Sequence, residues 1–434
     1  MPAVTTTTAL GGDRDTAVIA SVSAAHYVSH VMQLALPSLF PLLHTVFRVG
    51  FTELGLAATL FYGASGLGQA FVAGFLVDRY GAHRILLGGL AAMSGGIVLA
   101  GLATSYWMLL PLALVAGLGN SVFHPADLSI LSLRVKETRL GRAYAMHGIV
   151  GALGYATSPV VVTTIATFGN WRIALVVCGV AGFVVAAILF ANRSLLVCTS
   201  KRTEVSPAGG APQQTRYLGA VLSPVIVMGF AYFALTSFSV QGVQTFGIAS
   251  FIAGYGFTLP VAMLAVTAYL VGNAVGIVAG GVLADRTNKH HRVATSGMTV
   301  ASALILLVSG VNGFAEIVVP VMVVAGMAYG ITQPSRDIII RQAAAGGGLG
   351  SVFGFVYSGF DLGSATAPLL FGTLLDHHAP HAVFLSIATT LALAAITVMQ
   401  VRRRITPVSL PAEAGRPAAE RGTAAQAEGK RISR

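Results

Sequence analysis

The chain has 434 residues, of which 55% are hydrophobic and 9% are charged. Soluble domains carry about 25% charged residues, so this composition excludes an ordinary soluble protein and is typical of a helical membrane protein with many spans. The net charge of +11 does not predict a nucleic-acid partner, because the basic residues lie in short segments between hydrophobic stretches. Cys178 lies inside such a stretch and Cys198 just after it, so the two cysteines do not predict a disulfide.

Twelve stretches are long and apolar enough to cross a bilayer, which takes about 20 residues. They are called span 1 to span 12 in chain order, and we predict them at 17–44, 52–77, 85–105, 107–131, 143–168, 173–194, 218–242, 257–284, 293–313, 316–340, 351–375 and 382–401. No basic region with an apolar one behind it precedes span 1, so we expect span 1 itself, not a cleaved signal peptide, to direct insertion.

The basic residues predict the orientation of the spans. If both termini are cytoplasmic, all but two of the 26 Lys and Arg residues fall on the cytoplasmic side, as the positive-inside rule requires. The two exceptions are Arg48 and Arg172. We therefore predict a multi-pass protein of the inner (plasma) membrane with both termini in the cytoplasm.

An internal repeat divides the spans into two halves. The sequence GFLVDR at 74–79 matches GVLADR at 281–286, and GLGNSVFHPAD from Gly117 matches GMAYGITQPSR from Gly326. Parallel six-span halves are one transporter architecture, with the solute site between them near the bilayer midplane. The predicted organisation is a cytoplasmic N-terminal segment, a first half, a cytoplasmic linker, a second half and a disordered cytoplasmic tail, at 1–16, 17–194, 195–217, 218–404 and 405–434.

The loop after span 2 resembles a known family. Its sequence GFLVDRYG at 74–81 is similar to the signature loop of the major facilitator superfamily, and a shorter copy, GVLADR, stands at 281–286. The resemblance implies an all-α membrane protein with the major facilitator fold, twelve transmembrane helices in two six-helix halves. It also implies that spans 1, 4, 7 and 10 line a central cavity.

Spans 1 and 4 resemble the fosmidomycin-resistance family of efflux proteins. The stretches that carry the resemblance are AHYVSHVMQLALPSLFPLL in span 1 and GLGNSVFHPA in span 4. In that family span 1 usually reads His-x-x-Asn-Asp-x-x-Gln, which His26 and Gln33 match, whereas Ser29 and His30 replace the Asn-Asp pair. The resemblance implies efflux of a small drug or metabolite, and the missing acid leaves open which residue carries a coupling proton.

Asp78 lies at the predicted cytoplasmic edge of span 2. A carboxylate there can accept hydrogen bonds from the free N–H groups that start another helix, where the helix dipole is positive. A contact of this kind that forms in one conformation only would gate alternating access; the alternative is a charged turn that only fixes topology. Prolines in the repeated segments of spans 4 and 10 can add kinks. The predicted gating and conformational-switch set is Gly74, Asp78, Arg79, Gly81, Arg84, Pro125, Asp285, Arg286 and Pro334.

Polar residues interrupt span 1 on one face. At about 100° per residue, His26, His30 and Gln33 project from the same side, which we expect to face the bundle interior and not lipid. The histidine pair has three interpretations: a zinc site, packed and hydrogen-bonded histidines, or a cavity lining that binds solute or a proton. We favour the third and predict no metal site, because zinc would need a third protein ligand near the pair.

Asp361 in span 11 is the one carboxylate that the sequence places deep in a span. We predict that it carries a proton, and the alternative is a structural carboxylate satisfied by Ser or Thr neighbours. His124 and His147 are expected to line the inner mouth, with helix-end capping and charge balance around Asp127 as the alternative. The predicted substrate or proton pathway is His26, His30, Gln33, His124, His147 and Asp361.

The sequence contains no Gly-x4-Gly-Lys-Ser/Thr motif for ATP, so we expect an ion gradient to supply the energy. We predict a secondary active transporter, not an enzyme, with no catalytic residues and no cofactor, that exports a small drug or metabolite in exchange for protons by alternating access. The first alternative is a proton- or ion-coupled importer of a small organic anion, and a remote one is a non-transporting membrane sensor. The expected partners are a small-molecule substrate, protons and the lipid bilayer, and we expect a monomer.

Overall fold

The computed structural model describes residues 7–197, 224–311, 314–343 and 349–404. Within these ranges every regular element is a helix. Most of the linker predicted at 195–217, and the whole tail predicted at 405–434, lie outside the described residues. In the described part of the chain, 11 helical spans are long and apolar enough to cross a membrane, and the helix Leu349–Asp376 completes the predicted twelve.

The spans follow the predicted order, and several consist of more than one helix. The helices of the first half are Thr7–Ala35, Pro37–Leu39 and Phe40–Phe47 in span 1; Phe51–Gly68, Gln69–Ala73 and Gly74–Tyr80 in span 2; Ala82–Gly101 in span 3; Tyr106–Asn120 and Phe123–Arg134 in span 4; Glu137–Phe168 in span 5; and Trp171–Ala191 in span 6. The helices of the second half are Pro224–Gln241, Gly242–Phe246 and Gly247–Tyr255 in span 7; Leu259–Arg286 in span 8; His290–Gly310 in span 9; Ala315–Ala343 in span 10; Leu349–Asp376 in span 11; and Pro380–Arg404 in span 12.

Span 1 begins earlier than predicted. Its helix starts at Thr7, inside the segment 1–16 that we expected to precede it. The extra turns bring the Asp15 carboxylate to 3.5 Å from the Arg139 guanidinium near the start of span 5. In the sequence, the charge of Asp15 indicates that the helix starts after it. In the structure, Asp15 lies inside the helix and is paired with Arg139.

The first half also extends into the predicted linker. A one-turn helix, Arg193–Leu196, follows span 6. The Arg134 side chain donates from Nε to the backbone oxygen of Leu195 at 2.8 Å. This hydrogen bond fixes the start of the predicted linker against the end of span 4.

The two halves pack in the same way, as the sequence repeat predicts. In the first half, span 1 packs on spans 5 and 6, span 2 on span 4, and span 3 on spans 4 and 6. The second half repeats this pattern with span 7 on spans 11 and 12, span 8 on span 10, and span 9 on spans 10 and 12. The halves meet where span 2 packs against span 11 and span 5 packs against span 8.

Glycine lets spans 1 and 5 approach closely. A methyl group built on Gly154 would lie 2.5 Å from Tyr27 O and 2.9 Å from the Cβ atom of His30, both in span 1. On the same helix, no described atom lies within 4 Å of a methyl group built on Gly148. The close approach of the two spans therefore depends on Gly154 and not on Gly148.

We expect Gly154→Ala to lower the thermal stability of the protein and Gly148→Ala to maintain or raise it. The added methyl group would press against a backbone oxygen of span 1, and overpacking of this kind costs about 1–3 kcal/mol. Alanine otherwise favours a helix over glycine by up to about 1 kcal/mol. Thermal unfolding of both purified variants in detergent measures the difference, and equal unfolding temperatures would contradict the packing role of Gly154.

Candidate functional site

Three spans of the first half bring three histidines and an aspartate together. His26 lies on span 1, His147 on span 5, and His124 and Asp127 on span 4. The His26 Nδ1 atom lies 3.4 Å from Asp127 Oδ2, and His147 Nε2 lies 3.8 Å from the same oxygen. Ring nitrogens of the three histidines lie within 4.8 Å of one another. We call these four residues the histidine–aspartate cluster.

Burial differs among the members of the cluster. Asp127 is fully buried, His26 and His147 are nearly so, and His124 is exposed. Among the described residues, neither Asp127 oxygen, nor His26 Nδ1, nor either nitrogen of His147 has a hydrogen-bond partner. Because an ionised carboxylate is costly to bury alone, the cluster must hold either a proton or another cation beside Asp127.

A break in span 4 places His124 and Asp127 on one face. The second helix of the span starts at Phe123, so Pro125 falls in its first turn, where the missing N–H group costs nothing. Residues three apart on a helix are neighbours, and both side chains therefore point towards span 1. The repeat counterpart Pro334 lies inside the continuous helix Ala315–Ala343, so span 10 is not interrupted at this position, and the kinks expected at the two prolines stay predictions.

The structure adds Asp127 to the carboxylates that are buried within a span. The sequence already places Asp127 inside span 4, predicted at 107–131; the helix that carries it continues to Arg134 and buries it fully. The rings of His124 and His147 both pack on the ring of His26. The structure therefore brings three residues of the predicted pathway together, and their place at an inner mouth stays a prediction.

His30 lies one turn from the cluster and faces span 5. Its Nδ1 atom is 2.8 Å from Gly151 O. Its ring stacks on Tyr155 at a centroid distance of 3.9 Å and lies 4.2 Å from the ring of His26. Of the three interpretations of the histidine pair, packed and hydrogen-bonded is the one that matches the surroundings of His30.

A chain of hydrogen bonds leads from this stack to span 2. The Tyr155 hydroxyl donates to Gln33 Oε1 at 2.8 Å, Gln33 Nε2 donates to Asn120 Oδ1 at 3.1 Å, and Asn120 Nδ2 donates to Ser65 Oγ at 2.8 Å. We call these four residues the polar chain. The sequence singles out Gln33 but not the other three members, because the chain joins four spans and no local pattern marks them.

Asp361 lies at the contact between spans 11 and 2. A methyl group built on Gly66 would lie 2.6 Å from the Cβ atom of Asp361, so the aspartate packs directly over this glycine. Asp361 is half-buried, and no described residue is hydrogen-bonded to its carboxylate. Ser65, the last member of the polar chain, directly precedes Gly66 in span 2, so Asp361 packs on the residue next to the end of the chain, where the two halves meet.

Span 10 carries a base where span 4 carries an acid. In the aligned repeat, Arg336 of the segment from Gly326 corresponds to Asp127. The Arg336 guanidinium lies 4.6 Å from the centroid of the Phe233 ring, and its Nε donates to Asp337 Oδ1 at 2.9 Å. Its side chain is 12% exposed. The two halves therefore hold an acid and a base at equivalent positions.

The two Asp-Arg loops lie at the predicted cytoplasmic end. Asp78 and Asp285 are exposed, and no described atom lies within 4 Å of a methyl group built on Gly74 or Gly281. Gly81 has a φ of 89°, a left-handed conformation that favours glycine and ends span 2. The other loop residues of the predicted set are exposed as well: Arg79, Arg84 and Arg286. In this conformation the described residues form no gating contact with Asp78, whose role stays a prediction.

At the opposite end a carboxylate does cap a helix of the other half. This end, called the outer end, carries Arg48 and Arg172. The Asp376 carboxylate at the end of span 11 accepts hydrogen bonds from Phe51 N at 2.6 Å, from Thr52 N at 2.8 Å and from Thr52 Oγ1 at 2.5 Å. These donors start span 2, where the helix dipole is positive. The halves are thus joined at the outer end.

Comparison with known proteins identifies the family. The profile described as Major Facilitator Superfamily matches residues 22–264 and 243–431. The chain belongs to the major facilitator superfamily. The all-α fold with twelve transmembrane helices in two six-helix halves is therefore confirmed, and the protein is a secondary membrane transporter and not an enzyme.

Individual superfamily members resemble the chain over most of its length. The fosmidomycin resistance protein of Escherichia coli (strain K12) is 26% identical over 371 residues, which cover 83% of this chain and 86% of the relative. An uncharacterised MFS-type transporter of Bacillus subtilis (strain 168), YfnC, is 24% identical over 367 residues, with coverage of 83% and 86%. The resemblance to the fosmidomycin-resistance family, inferred from spans 1 and 4, is confirmed.

Solved structures share the fold at low sequence identity. A bacterial homologue of the human lysosomal transporter Spinster, in an inward-facing and occupied conformation, superposes with a TM-score of 0.69 at 15% identity and covers 89% of this chain and 97% of that one. A mutant of the nucleoside transporter NupG superposes with a TM-score of 0.71 at 11% identity, with coverage of 88% and 99%. These structures support the arrangement of the spans.

Proposed function

We propose that this superfamily member is a proton-coupled exporter of a small polar solute and that Asp361 carries the coupling proton. The observation that carries the proposal is the position of Asp361, a half-buried carboxylate packed over Gly66 where the two halves meet. An ionisable residue at membrane depth is rare and is most often functional. Its place between the halves lets its protonation respond to their relative movement.

Alternating access gives the physical link between proton and conformation. When spans 2 and 11 separate or close, the water and dipoles around Asp361 change. A neutral carboxyl group is cheaper to enclose in an apolar contact than a carboxylate, so the closed contact favours the protonated form. The conformation in which the contact opens releases the proton. The protonation of Asp361 and the change between the two conformations are therefore coupled equilibria.

His30 is the weaker candidate for the coupling proton. Its Nδ1 atom lies on Gly151 O and its ring on Tyr155, both in span 5 of the same half. Since spans 1 and 5 belong to one half, these contacts do not change when the halves move as rigid bodies. The polar chain from Tyr155 to Ser65 provides hydrogen-bonding groups along which a proton can approach Asp361.

Resemblance supports the direction of transport, and charge supports the kind of solute. One of the two relatives described above that match over most of the chain is a resistance protein, which favours export. Arg336, a cation 12% exposed at the position equivalent to Asp127, suits a solute with an anionic group. Arg336 indicates the charge of the solute but not the direction of transport. It therefore equally favours the second candidate, an importer of a small organic anion.

An assay in inverted membrane vesicles tests the proposal. A pH-sensitive dye reports proton release from the acidified lumen when a solute is added outside, and fosmidomycin, tetracycline and a panel of organic acids are the first solutes. If the protein exports solute in exchange for protons, at least one of these solutes should make the lumen more alkaline. Vesicles without the protein should show no such change. Solute-driven acidification would support the importer, and no response to any solute would contradict both.

Asp78→Asn is expected to lower the transport rate without lowering expression. In the alternate conformation a carboxylate at this edge can cap a helix of the other half, and asparagine lacks the charge for that contact. Transport by the variant in the vesicle assay, normalised to membrane-inserted protein, measures the effect. Glu137→Gln, an exposed acid at the same end, is the control, and full transport by Asp78→Asn would refute the gating role.

A further inference from the structure

The histidine–aspartate cluster contains donor atoms that the proposed proton cycle does not use. Three imidazoles and one carboxylate converge from spans 1, 4 and 5. The prediction of no metal site considered His26 and His30 alone, for which a third ligand was missing. The structure places three further donors, His124, His147 and Asp127, around His26.

The spacing of these donors fits a coordination shell better than a set of hydrogen bonds. Hydrogen bonds from N–H groups to oxygen span about 2.7–3.2 Å, whereas Asp127 Oδ2 lies 3.4 Å from His26 Nδ1 and 3.8 Å from His147 Nε2. A tetrahedral ion held at about 2.0–2.1 Å keeps its ligand atoms about 3.3 Å apart. The histidine nitrogens lie within 4.8 Å of one another, so an ion at the centre has to draw them closer by up to about 1.5 Å.

The donors that face the centre of the cluster lack other partners. Both Asp127 oxygens, His26 Nδ1 and His147 Nε2 are buried and form no hydrogen bond with any described residue. A buried carboxyl group next to three imidazoles offers both oxygen and nitrogen lone pairs to a cation. A divalent cation satisfies these lone pairs and offsets the charge of the ionised carboxylate at once.

We infer that the histidine–aspartate cluster binds a divalent transition-metal ion of the zinc type. Imidazole nitrogen suits Zn²⁺, Co²⁺ and Ni²⁺, whereas Mg²⁺ and Ca²⁺ prefer oxygen ligands throughout. All four ligands belong to the first half, so the ion stays with one half during alternating access. His124 is the exposed ligand of the four, and the other three are buried.

Neighbouring groups hold the ligands in place, as metal sites require. The ring of His26 packs between the rings of His147 at 3.8 Å and His30 at 4.2 Å. A methyl group built on Gly151 would lie 2.6 Å from the His26 ring, so this glycine leaves the room that the imidazole occupies. The inference does not rest on the proposed export function, because binding of the ion is measured without transport.

Co²⁺ is the probe that tests the site. The full-length protein is purified in detergent through an affinity tag that contains no histidine, and Co²⁺ is titrated while the visible d–d absorption is recorded. We expect the d–d absorption to saturate at one equivalent of Co²⁺ per protein, with the high molar absorptivity of a tetrahedral cobalt site. Addition of Zn²⁺ should abolish this absorption. His124→Ala, which removes the exposed ligand, is expected to weaken binding by about tenfold or more.

His124→Cys gives a readout that a purely structural role would not produce. A thiolate ligand is expected to add a sulfur-to-cobalt charge-transfer band that the wild type lacks. His377→Ala, an exposed histidine at the outer end, should bind Co²⁺ like the wild type, and so should Asp361→Asn, which separates this test from that of the export function. The inference is overturned if the folded wild type gives no tetrahedral spectrum, or if His124→Ala and His377→Ala bind Co²⁺ equally.

Discussion

Asp361→Asn is expected to uncouple solute movement from protons. Asparagine imitates the neutral, protonated carboxyl group, so the two halves can still close over it, but no proton is released when they open. In proteoliposomes, a gradient of one pH unit corresponds to about 1.4 kcal/mol per proton and supports about tenfold solute accumulation for each proton exchanged. The variant is expected to accumulate no solute, while it still lets solute run down its own gradient.

Two further variants make this result specific to Asp361. Glu316→Gln removes an exposed acid at the start of span 10 in the same half and should accumulate solute like the wild type. His30→Gln keeps a polar side chain at the competing position and should retain coupling. If Asp361→Asn remains coupled and His30→Gln loses coupling, the proton carrier is His30 and the proposed function needs revision at this residue.

The sequence predicts much of this fold because the bilayer restricts what a chain can do. Only helices satisfy their backbone groups within one segment in lipid, so apolar length gives the spans, and Lys and Arg positions give an orientation. The repeat at Gly117 and Gly326 then predicts two similar halves. Span ends are less predictable, because a charge such as Asp15 can be paired inside the helix by a residue far away in the chain.

The sequence predicts which side chains of the candidate site point into the bundle, but not which of them contact one another. The polar face of span 1 predicts that His26, His30 and Gln33 point inward, yet their partners come from spans 4 and 5. Nothing local in the sequence brings Asp127 to His26, since that contact depends on how far span 4 continues and where it breaks. The same limit applies to Asp376, which follows an apolar span and has the pattern of an ordinary charged loop until Phe51 and Thr52 are seen beside it.

Asp376→Asn is expected to shift the transporter towards the conformation that is open at the outer end. The carboxylate accepts three hydrogen bonds from the start of span 2 across the two halves. Hydrogen bonds to a charged group contribute about 1.5–3 kcal/mol, and the helix dipole adds to them. Loss of even one such bond changes the ratio of the two conformations about tenfold or more.

Distances between spin labels at the outer end measure this shift. Phe168 at the end of span 5 and Phe314 before span 10 are 89% and 59% exposed and belong to different halves, so cysteines at these positions, in a background with Cys178 and Cys198 replaced by serine, accept labels. The variant should populate a longer distance than the parent protein. His377→Ala alters the neighbouring residue, which is hydrogen-bonded to Thr373 of its own helix, and should leave the distances unchanged. Identical distance distributions for Asp376→Asn and the parent would show that other contacts close the outer end.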